Sequence, residues 1–124
     1  MRKVLKVSMF VALLAMPMTI LPAANAGDTA QITVTILGSG KGLVQNADDS
    51  IFCHNAPNTG YASDCSESYA MGTTGVVLQA VPLLRSTRFA GWSGDAAPCG
   101  KAKLCYAPAL NRDYNVTAKF RRKR

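Results

Sequence analysis

Residues 87–105 read TRFAGWSGDAAPCGKAKLC. This stretch holds the single tryptophan, Trp92, and two cysteines, Cys99 and Cys105, with five residues between them. Three readings compete: a reactive site, a metal site, or a pin that closes a small domain. A redox pair favours Cys-x-x-Cys, and the spacing here is wider. Structural zinc sites bring cysteines in as close pairs, whereas eleven residues lie between Cys53 and Cys65 and five between Cys99 and Cys105. No metal and no cofactor are expected. Phe89 and Trp92 carry much of the aromatic area that a small core needs, and Gly91 and Gly94 let the chain bend around the indole. The rival use of Trp92 is a sugar-stacking platform, but tryptophan is highly buried on average, so the core is favoured. The stretch reads as a pin.

Outward from the pin, the sequence is a string of short strands. Residues 30–36 alternate, with Ile32, Val34 and Ile36 on one face and Gln31, Thr33 and Thr35 on the other. GSGKG at 38–42 is expected to be a hairpin turn, with 43–46 as the return strand. A phosphate cradle would need a following helix and Lys-Ser/Thr, and Leu43-Val44 follows instead. Residues 47–64 are polar and loop-like, with Ile51-Phe52-Cys53 as an apolar anchor. A short strand is expected at 66–71. GVVLQAV at 75–81 reads as a strand covered on most of both faces, ended by Pro82. A strand from Thr87 to Trp92 is broken at Gly91, where a bulge or close approach is expected. Residues 104–106 are a short strand, and 114–120 alternate with Tyr114, Val116, Ala118 and Phe120 on one side. The predicted core is Ile32, Val34, Val77, Leu78, Phe89, Trp92, Val116 and Phe120. The expected fold is a small all-β or β-rich single domain of about six to seven short strands.

The ends set the compartment and the charge. Residues 1–26 read as a signal peptide: Arg2, Lys3 and Lys6, an apolar run from Val7 to Leu21, and Ala24-Asn25-Ala26 as a small-x-small cleavage pattern. Cleavage is expected after Ala26, leaving residues 27–124 with no transmembrane span. Export into an oxidising compartment makes Cys53, Cys65, Cys99 and Cys105 disulfide partners. Three pairings are open; local pairing, Cys53 to Cys65 and Cys99 to Cys105, is the simplest. Each such staple contributes about 2–3 kcal/mol in the chain-entropy estimate. The whole-chain charge is +7, but residues 27–120 carry seven basic and seven acidic residues. The excess sits in a basic tail, Arg121, Arg122, Lys123 and Arg124, and reads as a tail rather than a surface stripe.

The order of these pieces resembles a known family. A Thr-Val strand and Gly-Ser-Gly-x-Gly are followed by SDCSESY around Cys65 and GTTGVVLQA at 72–80. FAGWSG at 89–94, the second cysteine pair and NVTAKF at 115–120 complete the pattern. This resembles the divergent internalin B-type repeat, a bacterial extracellular module, present here in one copy spanning Gln31 to Phe120. The resemblance implies a small β-rich, β-grasp-like fold, supports the local cysteine pairing, and implies a spacer or adhesive unit without catalysis of its own.

Little in the sequence points to catalysis. His54 is the only histidine, and no Gly-x-Ser-x-Gly elbow accompanies it, so a small hydrolase using His54 is the least favoured reading. Asp48 and Asp49 are neighbours, which in an extended segment point to opposite faces. They also lack the spaced oxygen ligands of a calcium loop. The candidate binding residues are the four cations of the tail, with Tyr61 and Tyr69 flanking Cys65. Adjacent cations attract phosphate or carboxylate polymers with salt-sensitive affinity. The expected function is a non-enzymatic, exported module that binds an anionic envelope polymer or surface protein, with no specific nucleic acid as partner. The alternative is a small secreted inhibitor or toxin-like protein presenting the loop from Asn55 to Asp64.

Overall fold

The computed structural model describes residues 28–56, 60 and 62–124. The signal segment, its cleavage after Ala26 and the candidate Tyr61 lie outside the described residues. Eight strands follow in chain order: β1 (Thr29–Leu37), β2 (Gly42–Gln45), β3 (Phe52–His54), β4 (Ser66–Ala70), β5 (Val77–Pro82), β6 (Thr87–Gly94), β7 (Leu104–Tyr106) and β8 (Tyr114–Arg122). They form two four-stranded sheets, β4-β1-β8-β6 and β3-β2-β5-β7. A single 3-10 turn, Ala97–Cys99, is the only helix-like element among the described residues. The all-β expectation therefore holds in the form of a sandwich: a second sheet, not a helix, covers the core.

The period-two pattern explains the packing. In β1 Ala30, Ile32 and Val34 are buried between outward Gln31 and Thr35, and in β8 Tyr114, Val116, Ala118 and Phe120 are buried. The second sheet contributes Val44, Cys53, Leu78, Ala80 and Cys105 to the same core. Of the predicted core, Ile32, Val34, Leu78, Trp92, Val116 and Phe120 are buried, and Phe89 is half-buried against them. Val77 is half-buried and does not join the core, and Gln79 beside it is exposed. The sequence overstated β5: it is covered fully on one face only, because its sheet has core on one side and solvent on the other.

The glycine run is not a hairpin. β2 pairs with β3 and β5 in the second sheet, while β1 pairs antiparallel with β4 and parallel with β8. Residues 38–41 thus form a corner at which the chain changes sheets. The first and last strands lie side by side in the middle of one sheet, a pairing that no local pattern encodes.

Both disulfides form locally, Cys53–Cys65 and Cys99–Cys105. Cys53 lies in edge strand β3 of the second sheet, and Cys65 immediately precedes edge strand β4 of the first. At the opposite side, the turn after edge strand β6 carries Cys99, and edge strand β7 carries Cys105. Each staple therefore joins the two sheets at one open side of the sandwich. The stretch read as a pin is one: Trp92 is 6% exposed, its N–H donates to the Ala102 carbonyl at 2.6 Å, and Phe89 packs edge-on at 5.1 Å between ring centres. The expected irregularity at Gly91 is a register shift between Phe89 and Gly91, with φ at 141°.

Candidate functional site

The chemistry-bearing side chains gather at one end of the sandwich, and β8 puts them there. Burying Val116, Ala118 and Phe120 turns Lys119 and Arg121 outward by alternation. The strand continues past Phe120, so Arg121 and Arg122 pair with Arg88 and Thr87 of β6. The Lys123 N–H then donates to the Ser86 carbonyl at 2.6 Å. The basic tail is therefore largely the end of a strand. Arg88 and Arg121 stand directly opposite each other on the outer face, a like-charge pair that destabilises a sheet unless an anion lies between.

The corner at 38–42 is built onto that strand end. The Gly40 N–H donates to the Phe120 carbonyl at 3.0 Å, and the Arg122 N–H to Ser39 Oγ at 3.1 Å. Gly38 holds φ at 104°, and a Cβ there would run into the Phe120 carbonyl. A Cβ on Gly40 would sit 2.7 Å from the Thr87 methyl, and one on Gly42 would strike the Phe120 ring. These glycines serve close packing of the corner on β8. The turn between β5 and β6 closes the same end, with the Leu83 N–H donating to the Lys41 carbonyl at 3.0 Å and the Thr87 N–H to the Leu84 carbonyl at 2.9 Å.

The result is an open concavity of about 550 Å³ lined by Gly38, Ser39, Arg88, Lys119 and residues 121–124. Its lining holds six cations and no acid. Lys41 and Arg85 lie on the adjoining turns. Five of the seven acidic residues lie at the other end, Asp28 before β1, Asp48 and Asp49 after β2, Asp95 after β6 and Asp113 before β8, while Asp64 and Glu67 lie beside the middle of β1. Asp95 is bound there by the Arg112 guanidinium at 3.1 and 3.2 Å and by the Asn115 N–H at 2.7 Å. Those hydrogen bonds hold its carboxyl below the usual carboxylate range and raise Arg112 above its ordinary value. Burial, followed by the Asp95 charge, pushes the nearby Tyr114 hydroxyl up. Among the described residues the salt bridge present is Arg112–Asp95, so the cationic end carries none.

The other sequence candidates are placed elsewhere. Tyr69 sits half-buried on the core side of β4, its hydroxyl accepting from the Asn46 amide at 2.9 Å. That position is at the acidic end, apart from the tail. Trp92 is spent on the core and offers no stacking platform. The His54 backbone and Ser63 hydroxyl close the β3 loop on each other at 3.0 and 3.2 Å. Asp48 accepts from the Ser50 N–H and hydroxyl at 3.1 and 2.8 Å, which makes it a turn-former and lowers its pKa. Arg88, Lys119, Lys41 and Arg85 were missed as site residues. Lys119 and Arg121 were legible from the alternation of 114–120, whereas Arg88 needed the β6–β8 register.

The chain matches no family model, and comparisons with curated proteins and with solved structures find no match.

Proposed function

We propose that this protein is an exported, non-catalytic binding module that attaches to an anionic component of the cell envelope through the cationic end of its sandwich. The observation that carries this reading is the acid-free concavity, in which strand register presses Arg88 and Arg121 together beside Lys119 and residues 121–124. Like charges held at fixed positions favour a bound polyanion, whose approach relieves their repulsion and releases counterions. Two disulfides suit an oxidising compartment. Among the described residues no helix is long and apolar enough to cross a membrane. The likeness of residues 89–94 and 115–120 to internalin B-type repeats points toward the same adhesive class.

The test is retention of the oxidised protein on immobilised polyphosphate at low and high salt. Replacing Arg88, Lys119 and Arg121 by Ser should lower affinity about 10-fold or more at low salt, with a shallower salt dependence. Equal retention of both proteins would remove the concavity from the account.

A further inference from the structure

The cationic end is also an apolar end. Leu37 is 52% exposed, Leu83 37% and Leu84 53%, three of the six large hydrophobic side chains left open to water among the described residues. Leu37 ends β1 and lies in register with Lys119 of β8. Leu83 and Leu84 open the turn into β6, directly before Arg85. This turn is not a loose loop. Hydrogen bonds tie Leu83 to Lys41, Leu84 to Thr87 and Ser86 to Lys123, so leucines and cations are held on one connected piece of backbone.

From this juxtaposition, and resting on the binding role proposed above, we infer that the anionic partner is a phospholipid bilayer, with Leu83 and Leu84 entering its acyl margin while the cations hold the phosphates. A soluble polyanion satisfies the cations alone and leaves the leucines in water. A bilayer presents a layer of phosphate with an apolar layer directly beneath it, and so matches both. Long Lys and Arg side chains reach back to the phosphate level while apolar neighbours go deeper. Stable attachment of a peripheral protein takes two such signals, an apolar insertion and a basic patch, since either alone is marginal. The cations set the preference for anionic lipid, and the leucines supply the part of the affinity that salt does not remove.

The experiment compares the oxidised protein with a Leu83→Ser/Leu84→Ser variant on three probes. These are phosphatidylglycerol–phosphatidylcholine vesicles, phosphatidylcholine vesicles and soluble polyphosphate. The native protein is expected to bind the anionic vesicles far above the neutral ones and to retain part of that binding at high salt. The double variant should lose about 10-fold or more in vesicle affinity, from apolar area no longer buried, with polyphosphate affinity unchanged. Both side chains are exposed, so the melting temperature should also be unchanged, and its measurement separates misfolding from lost insertion. A Leu84→Trp variant adds a direct readout: its emission should shift to the blue on anionic vesicles. Equal vesicle affinity of native protein and double variant, or no blue shift at position 84, overturns the bilayer inference. Polyphosphate binding without vesicle binding also overturns it and leaves the anion-binding function standing. Binding to neither probe overturns both.

Discussion

The two ends of the sandwich are made from the same strands and treat charge in opposite ways. At the acidic end, charge is consumed by the backbone. Asp95 joins Arg112 to the Asn115 N–H at the start of β8, Asp113 accepts from the Gln31 N–H at 3.0 Å, and Asp48 closes a turn with Ser50. At the cationic end the backbone is satisfied by other groups: Ser39, Thr87, and the carbonyls of Lys41, Ser86 and Phe120. The cationic side chains are left over. A charged residue in a small β-domain therefore reads as functional only when the loops around it close without its help.

The largest effect is expected where one end is distorted and the other left alone. Gly38→Ala should destabilise the protein by about 2–4 kcal/mol, because the added Cβ meets both a positive φ and the Phe120 carbonyl. Gly72→Ala, near the acidic end, meets the positive φ but open space, and should cost only about 1–2 kcal/mol. Denaturant unfolding of the two variants checks this. Equal losses would mean that the corner is not tightly seated on β8.

A smaller effect separates the backbone of 121–124 from its charge. Cutting the chain after Phe120 removes the β6–β8 pairs of Arg121 and Arg122 and the Lys123 bond to Ser86. It should lower stability by about 1–3 kcal/mol, at roughly one per lost hydrogen bond, as well as weakening anion binding. Replacing Arg121, Lys123 and Arg124 by Ser should weaken polyphosphate binding about 10-fold or more while the melting temperature falls less than in the cut protein. If the cut protein melts like the full chain, residues 121–124 are a tail after all.

The smallest effect lies at the acidic end. The folded-state pKa of Asp95 is lowered from 3.8, so its ionised form is favoured by folding. This stabilisation is present above the ordinary carboxylate value and fades as pH falls through the lowered one. The difference in melting temperature between native protein and Asp95→Asn should hold constant near neutral pH and shrink in acid. A difference that does not change with pH would show that the Arg112 contact contributes through packing, not charge. Solvent screening keeps this effect below the other two.

What could be read in advance follows from how far each signal reaches along the chain. The alternation at 30–36 and 114–120 declares two strands and their buried faces, because a side-chain period of two is a property of the strand itself. Local cysteine pairing was likewise legible, since short loops bring the partners together. The hairpin expected at 38–42 failed for a physical reason: five residues rich in glycine suit a tight turn and a sheet-switching corner equally well. What separates the two is the strand that waits on the far side.

The same distinction divides the whole molecule. By itself the sequence determined a small, disulfide-stapled all-β chain with Trp92 at its pin, because periodicity, composition and cysteine spacing are local quantities. Only the tertiary structure decided that β1 lies parallel to β8, that the staples close the two open sides, and that Arg88 and Lys119 join residues 121–124 beside three exposed leucines. Those facts are set by register between strands distant in sequence, where one residue of slip would turn each cation to the opposite face.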